Sequence, residues 1–338
     1  MLTNVNNPML DAVRGTPTHF EMGWSAADHL PSSGTDAFDF VAICGMGGSA
    51  FPGDIVSAGF GHVVPVYVSR DYTVPSYPGR GLYIVSSFSG NTEETLAALS
   101  ALIERGETVA VVTAGGKLEA YADKHRLPCA RLKKPSPTFQ PRAASGMFVA
   151  AFVRIMVSSG LLDRDAAWRT LDGCASTLKG IEGLESAGVA FAERIGQKTP
   201  IFYSTGVFVE TVAQVSKIKF NENSKIPSFY GALPEFNHNE MVGYTQRHGQ
   251  FVPVFFRDAA APVRMVQRLD TSVATLRDHG LDVVVVDLDG GDVLERVYRA
   301  LLVMDYASIA LAYSLDIDPN PVQMVEGFKA SLGPFSGY

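Results

Sequence analysis

Short apolar runs alternate with longer segments of helical period in the first part of the chain. The runs at residues 40–44, 63–68, 82–86 and 108–113 are rich in β-branched residues and predict strands, and the segment 93–105 predicts a helix between the last two. Strands that are apolar along their whole length are typical of a parallel sheet with helices on both faces. The pattern therefore predicts an α/β fold.

The alternation is interrupted in the middle of the chain. Segments 147–159 and 164–184 predict helices with no strand between them, and we interpret them as a bridge. Beyond the bridge the pattern predicts further strands and helices, the strands at 200–203, 251–256 and 281–288 and the helices at 261–279 and 293–315. The chain is therefore predicted to contain two α/β domains, residues 1–155 and 196–338, joined by a helical connection at 156–195.

Both predicted domains begin with a strand that runs into a small, hydroxyl-bearing turn. The turn of the first domain ends in Ser49, and that of the second contains Ser204 and Thr205. The shared order of elements suggests that an ancient duplication produced the two halves. Because the second turn has no counterpart of the S-x-S-x-x-T sequence at residues 87–92, we expect it to be structural.

Composition and charge exclude several classes of protein. With 338 residues, 46% of them apolar, the chain can bury sizeable cores and is neither disordered nor fibrous. A net charge of −7 provides no basic surface for a nucleic-acid backbone, so we expect no nucleic-acid partner. The three cysteines are widely spaced and form no C-x-x-C pair, which fits neither a disulfide framework nor a zinc site and favours a reducing cytoplasm.

We also expect neither export nor a membrane span. Residues 1–13 lack the basic start and the apolar stretch of a signal peptide. The longest apolar helical run, at 300–315, is interrupted by Asp305 and is shorter than the roughly 20 residues that cross a bilayer. This run is therefore predicted to be a buried helix.

The first loop that could bind a ligand has the sequence GMGGSA and covers residues 45–50. Together with Asp71 near the end of the next predicted strand, it satisfies the G-x-G-x-x-A pattern of dinucleotide-binding turns, so a nicotinamide enzyme has to be considered. Glycines at such a turn also simply allow a helix to pack closely on a sheet. Both interpretations are open at the level of the sequence.

Three hydroxyl side chains gather in a second loop, which follows a predicted strand and opens a predicted helix. They belong to Ser87, Ser89 and Thr92. Backbone N–H groups and the positive end of the helix dipole favour an anion at such a position. Because the loop contains no lysine or arginine, we predict that neutral donors hold a phosphomonoester there. The alternative is helix capping by Asn91 with Glu94, which leaves Ser87 and Ser89 unexplained.

A third group of reactive side chains lies in the irregular segment 221–243, which contains two prolines and four asparagines. Long irregular stretches inside a domain are usually functional or disordered. Glu222 and His238 in this segment are candidates for the base and the acid of a proton transfer. A metal site at His238 and Glu240 is an alternative without support from a further His or Cys cluster, and Glu235 and Glu240 also fit solvated loop charges.

Several short motifs occur in an order that resembles one known family. They are MGGS at 46–49, SFSGNT at 87–92, PR at 141–142, NEN at 221–223, NHNE at 237–240, and the stretch from DPNP at 318–321 to Lys329. Together they span nearly the whole chain and resemble the bifunctional phosphoglucose/phosphomannose isomerases of the sugar isomerase (SIS) superfamily. The resemblance implies two SIS domains, each a mostly parallel sheet flanked by helices. It also implies interconversion of fructose 6-phosphate with glucose 6-phosphate or mannose 6-phosphate, in glycolysis and gluconeogenesis.

The resemblance implies a binding site made by the first two loops. Ser87, Ser89 and Thr92 would hold the phosphate, and Gly48 and Ser49 would lie beside the sugar. It further implies that no redox cofactor and no metal is needed. The family's active site is completed across a dimer interface, so a cytoplasmic homodimer with shared active sites is expected.

The resemblance also implies the catalytic residues. Glu222 would move a proton between C1 and C2, and His238, reaching in from the partner subunit, would help to open the sugar ring. Lys329 would assist near the ring oxygen, and Arg142 would stabilise the negative charge of the enediolate. Either cation alone would more often be an ordinary surface charge. An aldose–ketose isomerisation needs these same groups, namely a base, an acid and a positive charge at the oxyanion.

One position departs from the family, and two other functions stay open. The family's dual specificity is linked to a threonine before the C-terminal lysine, whereas residues 321–323 read PVQ, so the preference between glucose and mannose phosphates is undecided. A non-catalytic SIS regulator that binds phosphosugars is one alternative. The presence of Glu222 and His238, without a helix-turn-helix segment, counts against it. The other alternative is the NAD(P)-dependent oxidoreductase suggested by residues 45–50.

Overall fold

The apolar runs of the first half form a parallel sheet in the computed structural model, which describes residues 2, 6–30, 38–179, 183–246, 250–333 and 335. The strands of this first sheet are β1 (Phe40–Cys44), β2 (Val66–Ser69), β3 (Gly81–Ser87), β4 (Thr108–Thr113) and β5 (Cys129–Arg131). They lie in the order β2-β1-β3-β4-β5, and every pair is parallel. All residues of β1 and β3 are buried, which explains why these runs are apolar throughout.

Helices precede, connect and follow these strands, except that β2 leads to β3 without a helix. They are α1 (Pro8–Arg14), α2 (Thr16–Ala26), α3 (Phe51–Phe60), α4 (Glu93–Glu104), α5 (Gly116–His125), α6 (Ser145–Ser158) and α7 (Arg164–Lys179). The predicted helices at 93–105 and 147–159 are confirmed as α4 and α6. Helix α6 is buried along nearly its whole length, so it has no polar face from which its ends could be located.

A second parallel sheet forms from the later part of the chain. Its strands are β6 (Thr199–Thr205), β7 (Phe229–Leu233), β8 (Phe251–Arg257) and β9 (Val284–Asp287), in the order β7-β6-β8-β9. The helices here are α8 (Leu184–Ile195), α9 (Gln214–Lys219), α10 (Val263–Asp278) and α11 (Val293–Ser314). In both sheets the second strand lies outside the first, and the third and fourth follow on the other side. The prediction of two similar α/β halves is therefore confirmed at the level of topology.

Two of the predicted elements differ from the structure in kind and not only in their limits. The helix expected at 164–184 is divided, because α7 ends at Lys179 and α8 begins after Gly183, whose φ of 92° lies in the left-handed region. The segment 221–243, expected to be irregular, contains β7. This strand lies at the edge of its sheet and is exposed at its first two residues, so its sequence lacks the apolar pattern of a buried strand.

The chain divides into two compact units. The first unit, which carries the first sheet, contains Asp11–Lys179 and Val322–Tyr338, and the second unit contains Met1–Leu10 and Gly180–Pro321. This division falls inside the expected helical connection at 156–195, whose limits as a separate segment stay a prediction. A last helix, α12 (Gln323–Leu332), belongs to the first unit.

Each unit has its own apolar core. In the first unit, side chains of β1, β3 and β4 pack with α4 and α5, and in the second, side chains of β6 and β8 pack with α10. The run at 300–315 lies in α11 up to Ser314, and it is buried or half-buried up to Ala312, which confirms a largely buried helix. In the part of the chain that the structure describes, no helix has the length and apolarity needed to cross a membrane.

Candidate functional site

Two of the candidate loops follow neighbouring strands in the first sheet. The chain leaves β1 toward β2 on one side and returns to place β3 on the other, so the order of connections reverses between β1 and β3. In open parallel sheets, ligands bind outside the carboxyl ends of the strands at such a switch point. The turn at 45–50 follows β1 and the loop at 87–92 follows β3. The topology therefore brings both loops to the position where a ligand is expected.

Two of the three hydroxyl groups of the second loop are in direct contact, and the third bonds to the loop backbone. Ser87, which is 1% exposed, has its Oγ 2.9 Å from Oγ1 of Thr92 and accepts a hydrogen bond from the backbone N–H of Gly90 at 3.1 Å. The Ser89 hydroxyl accepts from the backbone N–H of Asn91 at 3.3 Å. A hydroxyl has one donor and two acceptor positions. When Thr92 donates to Ser87, the Ser87 proton is directed to another acceptor, such as a phosphate oxygen.

The structure does not form the alternative capping box at Asn91 and Glu94. Helix α4 has Thr92 as its N-cap residue, and the Thr92 side chain makes no capping hydrogen bond. The Asn91 side chain instead donates to the carbonyl of Ser89 at 3.2 Å and accepts from the backbone N–H of Lys117 at 3.1 Å. The first turn of α4 therefore keeps its N–H groups and its positive dipole end without a capping side chain, as an anion site requires.

Contacts with the turn between β4 and α5 fix the shape of this loop. Gly90 has a φ of 69°, and a Cβ atom placed on it would lie 1.7 Å from the carbonyl oxygen of Gly115. The Gly90 carbonyl accepts from the backbone N–H of Leu118 at 2.8 Å, and that of Phe88 accepts from Ala114 at 3.2 Å. Only glycine fits at position 90, and these contacts hold the loop against the turn beyond β4.

The turn at 45–50 is tied to the hydroxyl loop. The Ser49 Oγ accepts from the backbone N–H of Phe88 at 3.0 Å, and the Ser86 Oγ donates to the carbonyl of Ser49 at 2.8 Å. A Cβ atom on Gly48 would lie 3.0 Å from the Pro141 carbonyl oxygen and from the Arg142 nitrogen. Close packing therefore accounts for the glycine at position 48. It also accounts for Gly45, the first glycine of the G-x-G-x-x-A pattern, because a Cβ atom there would lie 2.7 Å from the Ser86 Oγ.

Arg142 belongs to the same group of residues. It lies in the 3₁₀ turn Pro141–Ala143, which packs against Gly48, and the residue is only 2% exposed. Its Nη1 atom lies 3.4 Å from the Oε1 atom of Gln140. A buried guanidinium is costly unless its donors are satisfied, which makes this arginine different from an ordinary surface charge. Gly48, Ser49, Ser87, Thr92 and Arg142 are thus gathered by the folding of the first unit alone.

Lys329 is placed differently from these residues. It lies on α12, all of whose residues are exposed, and its ammonium group pairs with Glu326 at 2.9 Å, one helical turn earlier. Both side chains are more than 60% exposed, so this ion pair contributes little to stability. Gln323 is the first residue of the same helix. The structure does not show Lys329 in contact with the two loops.

Glu222 lies in an unusual helical turn of the second unit. Residues 209–224 form one helical segment in which the α-helical part α9 is flanked by the π-helical turns Val209–Ala213 and Phe220–Ser224. Glu222 is partly exposed in the second of these turns, whereas Phe220, Asn223 and Ser224 are fully buried. π-helical turns are rare in proteins overall, and those that occur are frequently found at functional sites. The turn therefore presents Glu222 from a firmly packed base.

His238 is the last residue of the 3₁₀ turn Glu235–His238, and it is exposed. The preceding residue, Asn237, is fixed by two hydrogen bonds of its side-chain amide. The amide nitrogen donates to the Ser272 hydroxyl at 2.7 Å, and the amide oxygen accepts from the Arg268 guanidinium at 3.3 Å. The turn is thus anchored on α10 and presents the histidine to solvent. Glu222 precedes β7 and His238 follows it, and both belong to the second unit.

The neighbouring carboxylates have other partners. Glu240 accepts a hydrogen bond from the hydroxyl of Tyr203 at 3.0 Å, and Tyr203 lies 3.0 Å from the hydroxyl of Tyr244. Burial raises the pKa of Tyr244 to about 12 and raises that of Tyr203 as well, so both phenols stay protonated and can donate. Glu235 accepts from Asn239 at 2.6 Å. Among the described residues, no three His, Cys, Asp or Glu side chains are grouped to hold a metal ion.

The second sheet has an ion pair where the first has its hydroxyl loop. Asp258 directly follows β8, the strand next to β6 at the second switch point. Its carboxylate pairs with Arg296 at 2.6 Å and accepts from the backbone N–H of Ala260 at 3.0 Å. The Asp258 carboxylate thus already accepts hydrogen bonds from donors that could otherwise bind an anionic ligand. This supports the expectation that the turn at Ser204 and Thr205 is structural.

Two contributors to the first site were missed by sequence reasoning. Ser86 links the two loops through Ser49, and Gly115 closes the hydroxyl loop from the end of β4. The signal for Gly115 was available, since a Gly-Gly pair at 115–116 follows a predicted strand of the same sheet. Ser86 gave no separate signal, because it lies within the strand.

Comparisons with known proteins identify relatives along nearly the whole chain. Residues 185–332 match the family model described as the bacterial phospho-glucose isomerase C-terminal SIS domain. The bifunctional phosphoglucose/phosphomannose isomerase of Aquifex aeolicus is 31% identical over 95% of this chain and 97% of its own length. The D-glucosamine-6-phosphate 4-epimerase of Sulfolobus acidocaldarius is 27% identical over 86% of this chain and 89% of its length.

A solved structure shares the fold. The crystal structure described as a putative phosphosugar isomerase from Clostridium difficile 630 superposes on this chain with a TM-score of 0.74 and a sequence identity of 14%. The superposition covers 98% of this chain and 100% of that protein's chain. The α/β architecture with two parallel sheets is thus confirmed by a known fold. With the match to the Aquifex aeolicus enzyme along almost its whole length, the chain belongs to the family of bifunctional phosphoglucose/phosphomannose isomerases.

Proposed function

We propose that this protein is a phosphohexose isomerase, which interconverts fructose 6-phosphate with glucose 6-phosphate, mannose 6-phosphate or both. The observation that carries the proposal is the hydroxyl loop at the switch point of the first sheet. Ser87, Ser89 and Thr92 are gathered there at a helix N-terminus without a capping side chain. Neutral donors of this kind suit a phosphomonoester that has to bind and leave in every turnover.

The reaction is a proton transfer between C1 and C2 through an enediol. Glu222 is the base in this proposal, because it is the partly exposed carboxylate of a firmly packed turn. Arg142, buried beside Gly48, stabilises the negative charge that develops on the enediolate oxygen. His238 assists ring opening, and Lys329 acts near the ring oxygen. Gly48 and Ser49 lie beside the sugar.

A homodimer with shared active sites is part of the proposal. His238 and Lys329 are both exposed in the single chain, so each is accessible to a second subunit. Helix α12 also exposes Met324, Val325 and Phe328, and apolar side chains grouped on one helix are typical of a surface that is covered in an assembly. We place the enzyme in the cytoplasm, where reducing conditions keep cysteines as thiols; all three cysteines are buried in the structure.

Replacing both serines of the loop is expected to weaken sugar phosphate binding. Each hydrogen bond to a charged group contributes about 1.5 to 3 kcal/mol, so Ser87→Ala with Ser89→Ala should raise the Kd of fructose 6-phosphate by at least tenfold in calorimetry. Ser57→Ala is the control, because the Ser57 hydroxyl, on α3, donates to the Val66 carbonyl of β2, away from the loop. Equal affinity of the double variant and the control would remove the loop from the binding site.

The function itself is tested by proton NMR of fructose 6-phosphate with the purified protein in heavy water and a chelator. We expect glucose 6-phosphate, mannose 6-phosphate or both, carrying deuterium at C2, and a mass of two chains by light scattering of the same sample. Binding without product or exchange at C1 would support the regulator instead. A parallel sample with glucosamine 6-phosphate tests whether this protein has the epimerase activity for which the Sulfolobus relative is named. A further sample with NADH tests the alternative of an oxidoreductase.

A further inference from the structure

Helix α11 holds the π-helical turn Phe220–Ser224 at both of its ends. Before the turn, the Lys219 ammonium lies 2.8 Å from the Asp305 carboxylate. At its far end, the Asn223 side-chain amide donates to the Ser308 hydroxyl at 2.9 Å, and the Ser224 hydroxyl donates to the Ser308 carbonyl at 2.7 Å. The two anchors on α11 are themselves connected, because the Ser308 hydroxyl donates to the Asp305 carbonyl at 2.9 Å.

These anchors are polar groups in the interior. Lys219 is 2% exposed and Ser308 is fully buried, and Asp305 is the charge that interrupts the apolar run of α11. A buried ion pair loses much of its Coulomb energy to desolvation, so apolar side chains of similar size would join two helices at least as well. Polar anchors fix the orientation of the turn relative to α11, because a hydrogen bond restricts both the distance and the angle between its two groups and an apolar contact does not.

We propose that Asp305 and Ser308 are positioning residues for the base, because they fix the turn from which Glu222 extends. Glu222 lies between the anchored Lys219 and Asn223, and a rotation of the turn would move its carboxylate relative to C1 and C2 of the sugar. A misplacement of about 1 Å can lower the rate of a chemical step by about 10²-fold. The inference rests on the proposed role of Glu222 and concerns how that role is maintained.

The test compares two serines of the same helix. Ser308→Ala removes the acceptor of Asn223, whereas Ser314→Ala removes a hydroxyl that likewise donates to the carbonyl three residues earlier, at 2.8 Å, but lies away from the turn. For Ser308→Ala we expect kcat to fall by about tenfold with KM within about twofold, and the isotope effect on kcat with C2-deuterated glucose 6-phosphate to increase. For Ser314→Ala we expect no change in these values. Loss of folded protein alone cannot increase an isotope effect.

A second variant separates position from stability. Lys219→Met with Asp305→Leu replaces the ion pair by apolar side chains and removes both of its charges together, so we expect Tm to be retained or raised while kcat falls. Wild-type kcat in this variant and in Ser308→Ala would overturn the inference, as would an unchanged isotope effect. An inactive wild-type protein would instead refute the proposed isomerase function, so the two failures are distinguishable.

Discussion

Glu222→Gln is expected to lower kcat for isomerisation by roughly 10²- to 10⁴-fold, the contribution typical of a well-placed general base. The amide has nearly the same shape as the carboxylate but cannot accept the proton from C1 or C2. The packed side of the turn, at Phe220, Asn223 and Ser224, is unchanged by the substitution. We therefore expect Tm and the Kd of fructose 6-phosphate to stay close to the wild-type values.

The matched control for this prediction lies on the same helical segment. Glu210 is an exposed carboxylate in the first π-helical turn, and Glu210→Gln removes the same charge without touching the turn of Glu222. Exchange of the C1 proton with heavy water, followed by NMR, measures proton transfer directly. Unchanged exchange in Glu222→Gln would exclude Glu222 as the base, and an equal loss in Glu210→Gln would indicate a general effect of charge.

The elements that could be predicted from the sequence are those whose burial determines their composition. Strands β1 and β4 were predicted to the residue, since almost all of their side chains are buried and must be apolar. Strand β7 was missed because it is an exposed edge, and β5 because three residues carry too little pattern. The parallel direction of the strands could be predicted from burial as well, because continuous apolar strands indicate a parallel sheet, whereas the strand order could not.

The sequence predicts only those parts of the site whose functional groups lie together in one loop. Ser87 and Thr92 lie close together in sequence, and helix-terminus physics assigns them a ligand without knowledge of the fold. The sequence left open the alternative in which Asn91 caps the helix, because the actual partner of Asn91, the backbone of Lys117, lies on another loop. The anchors Lys219 and Asp305 are far apart in sequence, so neither residue indicated the other. Long-range contacts of this kind are visible only in the folded chain.

Gly90→Ala is expected to damage both stability and substrate binding. The left-handed φ of 69° alone costs an alanine about 1 to 2 kcal/mol. The new Cβ atom would also meet the Gly115 carbonyl at 1.7 Å, so the loop and the turn beyond β4 must separate, which adds about 1 to 3 kcal/mol, as overpacking does elsewhere. The displaced loop carries Ser89 and the N-terminus of α4. We expect KM for fructose 6-phosphate to rise at least tenfold.

The opposite end of the same helix provides the control. Gly106, just beyond α4, has a φ of 70°, but among the described residues no atom lies within 4 Å of where its Cβ would stand, so Gly106→Ala carries the backbone cost without the collision. Thermal unfolding and steady-state kinetics of both variants isolate the contact between Gly90 and Gly115. If Gly90→Ala loses no more stability than Gly106→Ala and keeps the wild-type KM, the loop is free to move. The hydroxyl groups would then be assembled by the ligand and not held ready by the fold.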